Sequence, residues 1–207
     1  IGRDALATQN FTTATNSYNV AVGDTVGAEL TTGAFNTLIG GLAGDALTDS
    51  DRNVAIGYLS QTSCVLGQLN TSVGYGTLES MNPATAANMN NSAFGYLAGN
   101  AVTVGIQNTL VGGLAGDVLT DADDNVAVGY GALSADTKGS RSIAIGKEAL
   151  FTQNFTTATS TYNVAVGWQA GHDISTGINN TLIGGLAGDK ITTGSWNTLI
   201  GQNVGTQ

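Results

Sequence analysis

The carboxylates closest to a recognisable constellation are Asp45, Asp49 and Asp51 followed by Asn53. The set returns as Asp117, Asp121, Asp123 and Asn125, with Asp124 added. Oxygen ligands at alternating positions suit a hard cation such as calcium, which gathers about six to eight of them. No glycine or distal glutamate completes such a loop, and the third copy of the stretch carries Thr192, Thr193 and Gly194 where acids are needed. A solvated turn outweighs a metal site, so Asp49, Asp51, Asp121 and Asp123 stand only as weak calcium candidates. His172, the single histidine, has no cysteine or second histidine in register with it, which argues against zinc. A Ser/His/Asp relay would rest on His172 alone, and no G-x-S-x-G elbow is present. Cys64 stands where neighbouring units carry leucine and reads as a buried, inert thiol. The glycine-rich strings lack the Gly-Lys-Ser/Thr of a phosphate loop. Nothing singles out a carboxylate pair for glycoside hydrolysis. The expectation is a protein without catalytic residues, cofactor or resident metal.

What the chain has instead is a repeat. Asn180-Thr181-Leu182-Ile183-Gly184 returns, nearly unchanged, at Asn36–Gly40, Asn108–Gly112 and Asn197–Gly201. A second version, Asn-Val-Ala-Val/Ile-Gly, ends at Gly23, Gly57, Gly129 and Gly167, and looser forms end at Gly74, Gly95 and Gly146. From Gly2 to Gly23 is a 21-residue interval, and three 17-residue intervals then lead through Gly40 and Gly57 to Gly74. The same order starts again from Gly74 to Gly95, and once more from Gly146 to Gly167. A fixed period this short marks stacked units, each too small to bury a core alone. Before each glycine a large apolar residue and, two positions earlier, a β-branched residue or serine flank an Ala, Leu or Ser. This period-2 pattern is that of a short strand. The glycine that ends it implies a positive φ or a close backbone approach.

Four residues before the glycine stands asparagine: Asn19, Asn36, Asn53, Asn70, Asn91, Asn108, Asn125, Asn163, Asn180 and Asn197, with Ser142 the one exception. Stacked at the strand spacing of roughly 4.8 Å, these amides would form a structural hydrogen-bonded ladder rather than a ligand site. Most units carry a second apolar residue seven positions after the glycine, among them Leu30, Leu47, Val102 and Leu119. Each unit therefore reads as two short strands and two turns. The fold class expected is all-β, a parallel β-roll or β-solenoid of 17-residue coils in which every fourth is a 21-residue coil. Residues 1–207 form one solenoid of about 12 coils in 72-residue superrepeats: 2–73, 74–145 and an incomplete 146–207. The four added residues predict a bulge every ~19 Å along the rod. Opening and closing inside a repeat, the chain is expected to be a fragment of a longer polypeptide.

Composition narrows the partners. Charged residues are 10% and the net charge is −9, with no clustered Lys and Arg, so nucleic acid is not expected as a partner. No run of about 18 apolar residues is present to insert into a membrane. One cysteine provides no intrachain disulfide.

The strings Asn-Val-Ala-Val-Gly, Ser142-Ile143-Ala144-Ile145-Gly146 and Asn-Thr-Leu-Ile-Gly-x-x-Ala-Gly resemble two related families. One is the head repeat of YadA-like trimeric autotransporter adhesins; the other is the repeat of phage tail fibre shafts. Asparagine lies one position nearer the glycine than in the adhesin signature, and the coil is longer, so the fibre family is the nearer resemblance. It implies a left-handed roll in a homotrimer, with small and apolar side chains facing the other subunits. It also implies an extracellular place, in a virion or on a bacterial surface. The partners implied are other virion or appendage proteins and a host-surface glycan or protein. The adhesin head is the second reading. A polysaccharide-degrading solenoid, as in some tailspikes, is the alternative of another class. An ice-binding solenoid would need a regular threonine face, and the threonines here alternate irregularly with valine.

Overall fold

The structure, a computed structural model, describes residues 1–205. Among the described residues there is no helix, and the chain is an all-β parallel solenoid of about 11 coils with 17-residue spacing. One three-residue strand per coil builds an 11-stranded sheet, running from Val20–Val22 through Thr109–Val111 to Thr198–Ile200. Every pairing is parallel, with equivalent positions opposite each other: Val20 faces Thr37, Ala21 faces Leu38, Val22 faces Ile39. The same register reaches Thr181 opposite Thr198 at the far end. Where a 21-residue coil intervenes the register holds, as in Ile143 opposite Val164, so the added residues are accommodated outside the sheet.

Alternation along the strand decides what is buried. The middle residue points inward, and Leu38, Ala55, Ala93, Leu110, Ala144 and Leu182 are sealed from solvent. The apolar row seven positions after the glycine, including Leu30, Leu47, Leu119 and Ile174, closes the same narrow core. The large residues flanking each middle position point out. In strands such as Val20–Val22 and Ile143–Ile145 this reverses the usual placement, in which the bulky side of a strand is buried, whereas in Thr37–Ile39 the buried residue is the large Leu38.

The expectation of two strands per coil is met only at two places. A second strand forms as Gly67–Gln68 with Ala87–Asn88 and as Gly139–Ser140 with Thr159–Ser160. Elsewhere the backbone turns through the left-handed region at fixed places, for example at Phe35 (φ 63°), Leu42 (φ 58°) and Gly44 (φ 56°). Left-handed residues cannot extend a strand, yet they still hydrogen-bond along the rod. The Leu42 N–H donates to Asp24 O in the coil before (3.0 Å), and the Gly44 N–H donates to Ser60 O in the coil after (2.9 Å). Both short pairs involve a 21-residue coil, whose added length leaves residues 84–86 and 156–158 exposed.

The closing glycine answers to both reasons for its presence. Gly129 has φ +130°, and a Cβ there would lie 2.6 Å from the carbonyl carbon and oxygen of Gly146 in the next coil. Coils therefore stack backbone on backbone along this column.

Candidate functional site

The asparagine column runs inside the rod, and most of its members are fully buried. Along the column an Oδ1 accepts the backbone N–H at the same place in the next coil, as from Asn53 to Asn36 (2.9 Å), Asn108 to Asn91 (2.9 Å), Asn180 to Asn163 (2.9 Å) and Ser142 to Asn125 (2.9 Å). The Nδ2 donates to a carbonyl of the following coil, as Asn108 does to Ala122 O (2.8 Å). Direct amide-to-amide bonds are fewer and include Asn70 to Asn53 (3.1 Å) and Asn197 to Asn180 (2.9 Å). The column thus ties side chain to backbone between coils, and both ends of a typical buried amide are occupied.

The four weak calcium candidates do not converge. The Asp49 Oδ1 accepts from the hydroxyls of Thr31 (2.9 Å) and Thr32 (2.7 Å). The Asp51 Oδ1 accepts the Ala34 N–H (2.8 Å), and its counterpart Asp123 accepts the Ile106 N–H (2.9 Å). Asp121 accepts from Thr120 (2.6 Å) and pairs with Lys138 (3.2 Å), and the hydroxyl bond, offset in part by burial, holds its carboxyl below the usual range. Each acid fastens one coil to its neighbour or to its own turn. Among the described residues, no group of three or more His, Cys, Asp or Glu is placed to hold a metal ion.

His172 stacks on Phe151 (5.2 Å between ring centres) and contacts Asp173 (2.6 Å), which Lys190 reaches from the next coil (3.1 Å). Among the described residues no hydroxyl or thiol hydrogen-bonds its ring. Cys64 is buried, with its Sγ 3.7 Å from Gly67 O, and burial pushes the thiol up to about 12, far from a reactive thiolate.

One buried cluster goes beyond the sequence motifs. Asp136 occupies the seventh position after Gly129, where most coils carry an apolar residue, and it is fully buried. Its Oδ1 accepts the N–H groups of Gly139 (3.0 Å) and Phe155 (3.0 Å), and its Oδ2 accepts from Gln153 Nε2 (2.6 Å). Burial raises its carboxyl above the ordinary range despite these donors. Gln153 also donates to Ser142 (2.9 Å), whose hydroxyl meets that of Thr161 (2.5 Å), and its Oε1 accepts from Asn163 (2.8 Å). The one residue that interrupts the asparagine column thus belongs to a polar network. Two polar residues at consecutive seventh positions, Asp136 and Gln153, are the signal that the sequence offers for it.

The outward sheet face is the second feature. The exposed large apolar residues include Val20, Val22, Phe94, Ile143, Ile145 and Ile183, all on the strands. One rim of the face, just after the glycine, carries Tyr58, Tyr75 and Tyr96 with adjacent rings 5.8 and 5.5 Å apart, then Tyr130 and Trp168. The other rim, five before the glycine, carries Tyr18 stacked on Phe35 (5.4 Å), with Arg52 over Phe35 (5.6 Å) and Arg141 over Tyr162 (5.9 Å). Of the exposed large hydrophobics only Val104 lies elsewhere. Among the described residues no concave pocket forms, and no helix is long and apolar enough to cross a membrane. Compared with protein-family models, curated proteins and solved structures, the chain has no match.

Proposed function

We propose that this chain is a segment of a trimeric β-roll fibre, of the kind found in phage tail fibres or similar appendages that attach to a host surface. The observation that carries the reading is the concentration of exposed apolar side chains on one flat face with aromatic rims. Eleven strands at about 4.8 Å and a width of some 20 Å give a face on the order of 1,000 Å². That exceeds the roughly 800 Å² per partner that a stable interface buries, and a soluble monomer rarely leaves so large an apolar patch uncovered. A second copy of the same chain is the partner that the face fits, and closure around an axis along the rod covers the face on every copy. The resemblance of the Asn-Thr-x-x-Gly-x-x-Ala-Gly string to tail fibre shafts directs the reading to a fibre. Light scattering on a sizing column tests it. The fibre reading requires a species of three times 20.8 kDa, and a well-folded monomer would sink it.

A further inference from the structure

We propose that the buried polar network around Asp136 is a register lock: it makes the coil closed by Gly167 stack only on the coil closed by Gly146. The need for a lock comes from the repeat itself. The two internal 21-residue coils, closed by Gly95 and Gly167, lie one superrepeat apart and rest on their foundations in the same way. Each adds a two-residue pair to the coil beneath, Gly67 with Ala87 and Gly139 with Thr159, and these pairs too are one superrepeat apart. The sheet registers also match, Thr71 with Ser92 and Ile143 with Val164. The backbone therefore offers nothing to tell one foundation from the other.

The side chains do. At the first junction the buried set is Cys64, Asn70, Met81 and Met89, and a Cβ on Gly67 would touch Cys64, Met89 and Met81 together. At the second junction the equivalent positions hold Asp136, Ser142, Gln153 and Thr161, all fully buried and joined by hydrogen bonds. A slip that omits one superrepeat would put Gln153 over Cys64. The Gln153 amide would lose both the Asp136 carboxylate and the Ser142 hydroxyl and face a thiol in a dry interior, where an unpaired polar group is costly, while Asp136 would be expelled with the omitted coils. Two unlike junctions reject the exchange that two like ones would permit, which is the logic of specificity through unfavourable alternatives. Asp136 is the carboxylate on which the lock turns, and Gln153 is its reader.

The test makes the junctions alike. In D136L/S142N/Q153M/T161M the second junction acquires the set of the first, with leucine in place of the thiol. Spin labels at T32C and T176C, exposed and equivalent positions eight coils apart, report register when labelled chains are refolded in an excess of unlabelled ones. The native register places the labels about 38 Å apart, and a slip that omits four coils brings them to about 19 Å. The parent sequence is expected to show only the longer distance, and the graft both distances, with a native circular dichroism spectrum. A control exchanges the two sets, adding C64D/N70S/M81Q/M89T to D136L/S142N/Q153M/T161M, so the junctions stay unlike; it is expected to keep the single long distance. A graft with only the long distance would overturn the proposal. So would a graft that fails to fold while the exchanged control folds, because the network would then supply stability rather than register.

Discussion

Replacing Asn108 by alanine tests the column where it is most regular. Its amide makes three contacts besides its own backbone pairing. Oδ1 accepts the Asn125 N–H (3.1 Å), and Nδ2 donates to Ala122 O (2.8 Å) and Asn91 Oδ1 (3.1 Å). The Asn91 Oδ1 keeps the Asn108 N–H after truncation, so two groups are orphaned, the Asn125 N–H and the Ala122 carbonyl. At about 1–3 kcal/mol per buried unsatisfied group, Asn108→Ala should cost about 2–6 kcal/mol. Asn108→Asp sharpens the test, since it keeps the acceptor but turns the donating arm into an oxygen facing two other oxygens. At neutral pH that variant buries a carboxylate against acceptors and should be at least as unstable as the alanine variant. As the pH falls its carboxyl protonates, regains an O–H donor and recovers part of the loss. Denaturant unfolding of the three proteins at pH 4 and pH 7 measures both effects. A loss below about 1 kcal/mol for Asn108→Ala, or an Asn108→Asp variant whose deficit is the same at both pH values, would refute the account of the column as an obligatory hydrogen-bond path.

Three further outcomes follow from the geometry. In the proposed trimer, Ile145→Asp, on the exposed side of its strand, should leave circular dichroism unchanged and reduce the solution mass from three chains to one. Gly129→Ala forces a Cβ to within 2.6 Å of the Gly146 carbonyl at φ +130°, and should lower the thermal midpoint by well over ~5 °C, as a backbone clash of more than about 2 kcal/mol demands. Asp117 is half-buried, and burial raises its carboxyl above the ordinary 3.8 although Ser134 donates to it (2.7 Å). A raised carboxyl favours the folded state most below 3.8, and that contribution is lost as the pH rises through the folded value. Asp117→Asn should therefore gain stability relative to the parent between pH 4 and pH 7, read from denaturant midpoints, and converge with it in acid.

The period, the strands and the closing glycines are legible because each is set by local chemistry repeated many times. A Val-Ala-Val alternation before a glycine fixes strand and turn together, and the asparagine register makes an inter-coil bond predictable. The second half of the coil misleads because residues such as Leu42 and Phe35 have no visible reason to turn left-handed. Only the carbonyls offered by the neighbouring coils explain it. Which side of the strand faces inward is equally hidden, since Ala144 between Ile143 and Ile145 looks like the weaker candidate for burial. A coil this narrow takes one inward side chain per strand, and the register shared with Leu38 and Leu110 gives that place to the middle residue, whether leucine or alanine. Asp136 escapes notice because a single acid among apolar equivalents looks like drift until Gln153 is found above it.

The bonds between coils all run along the rod, and this gives the molecule unlike mechanical responses in different directions. Bending would compress or stretch many parallel N–H to O contacts at once, so the rod resists flexing. A pull on its two ends passes through every coil in series, and the terminal coil, bonded to a neighbour on one side alone, opens first. A single copy under tension should therefore lengthen in steps, each releasing one 17-residue coil and adding roughly 50 Å of extended chain. A rod made of such coils holds its direction and, when pulled, yields gradually instead of snapping.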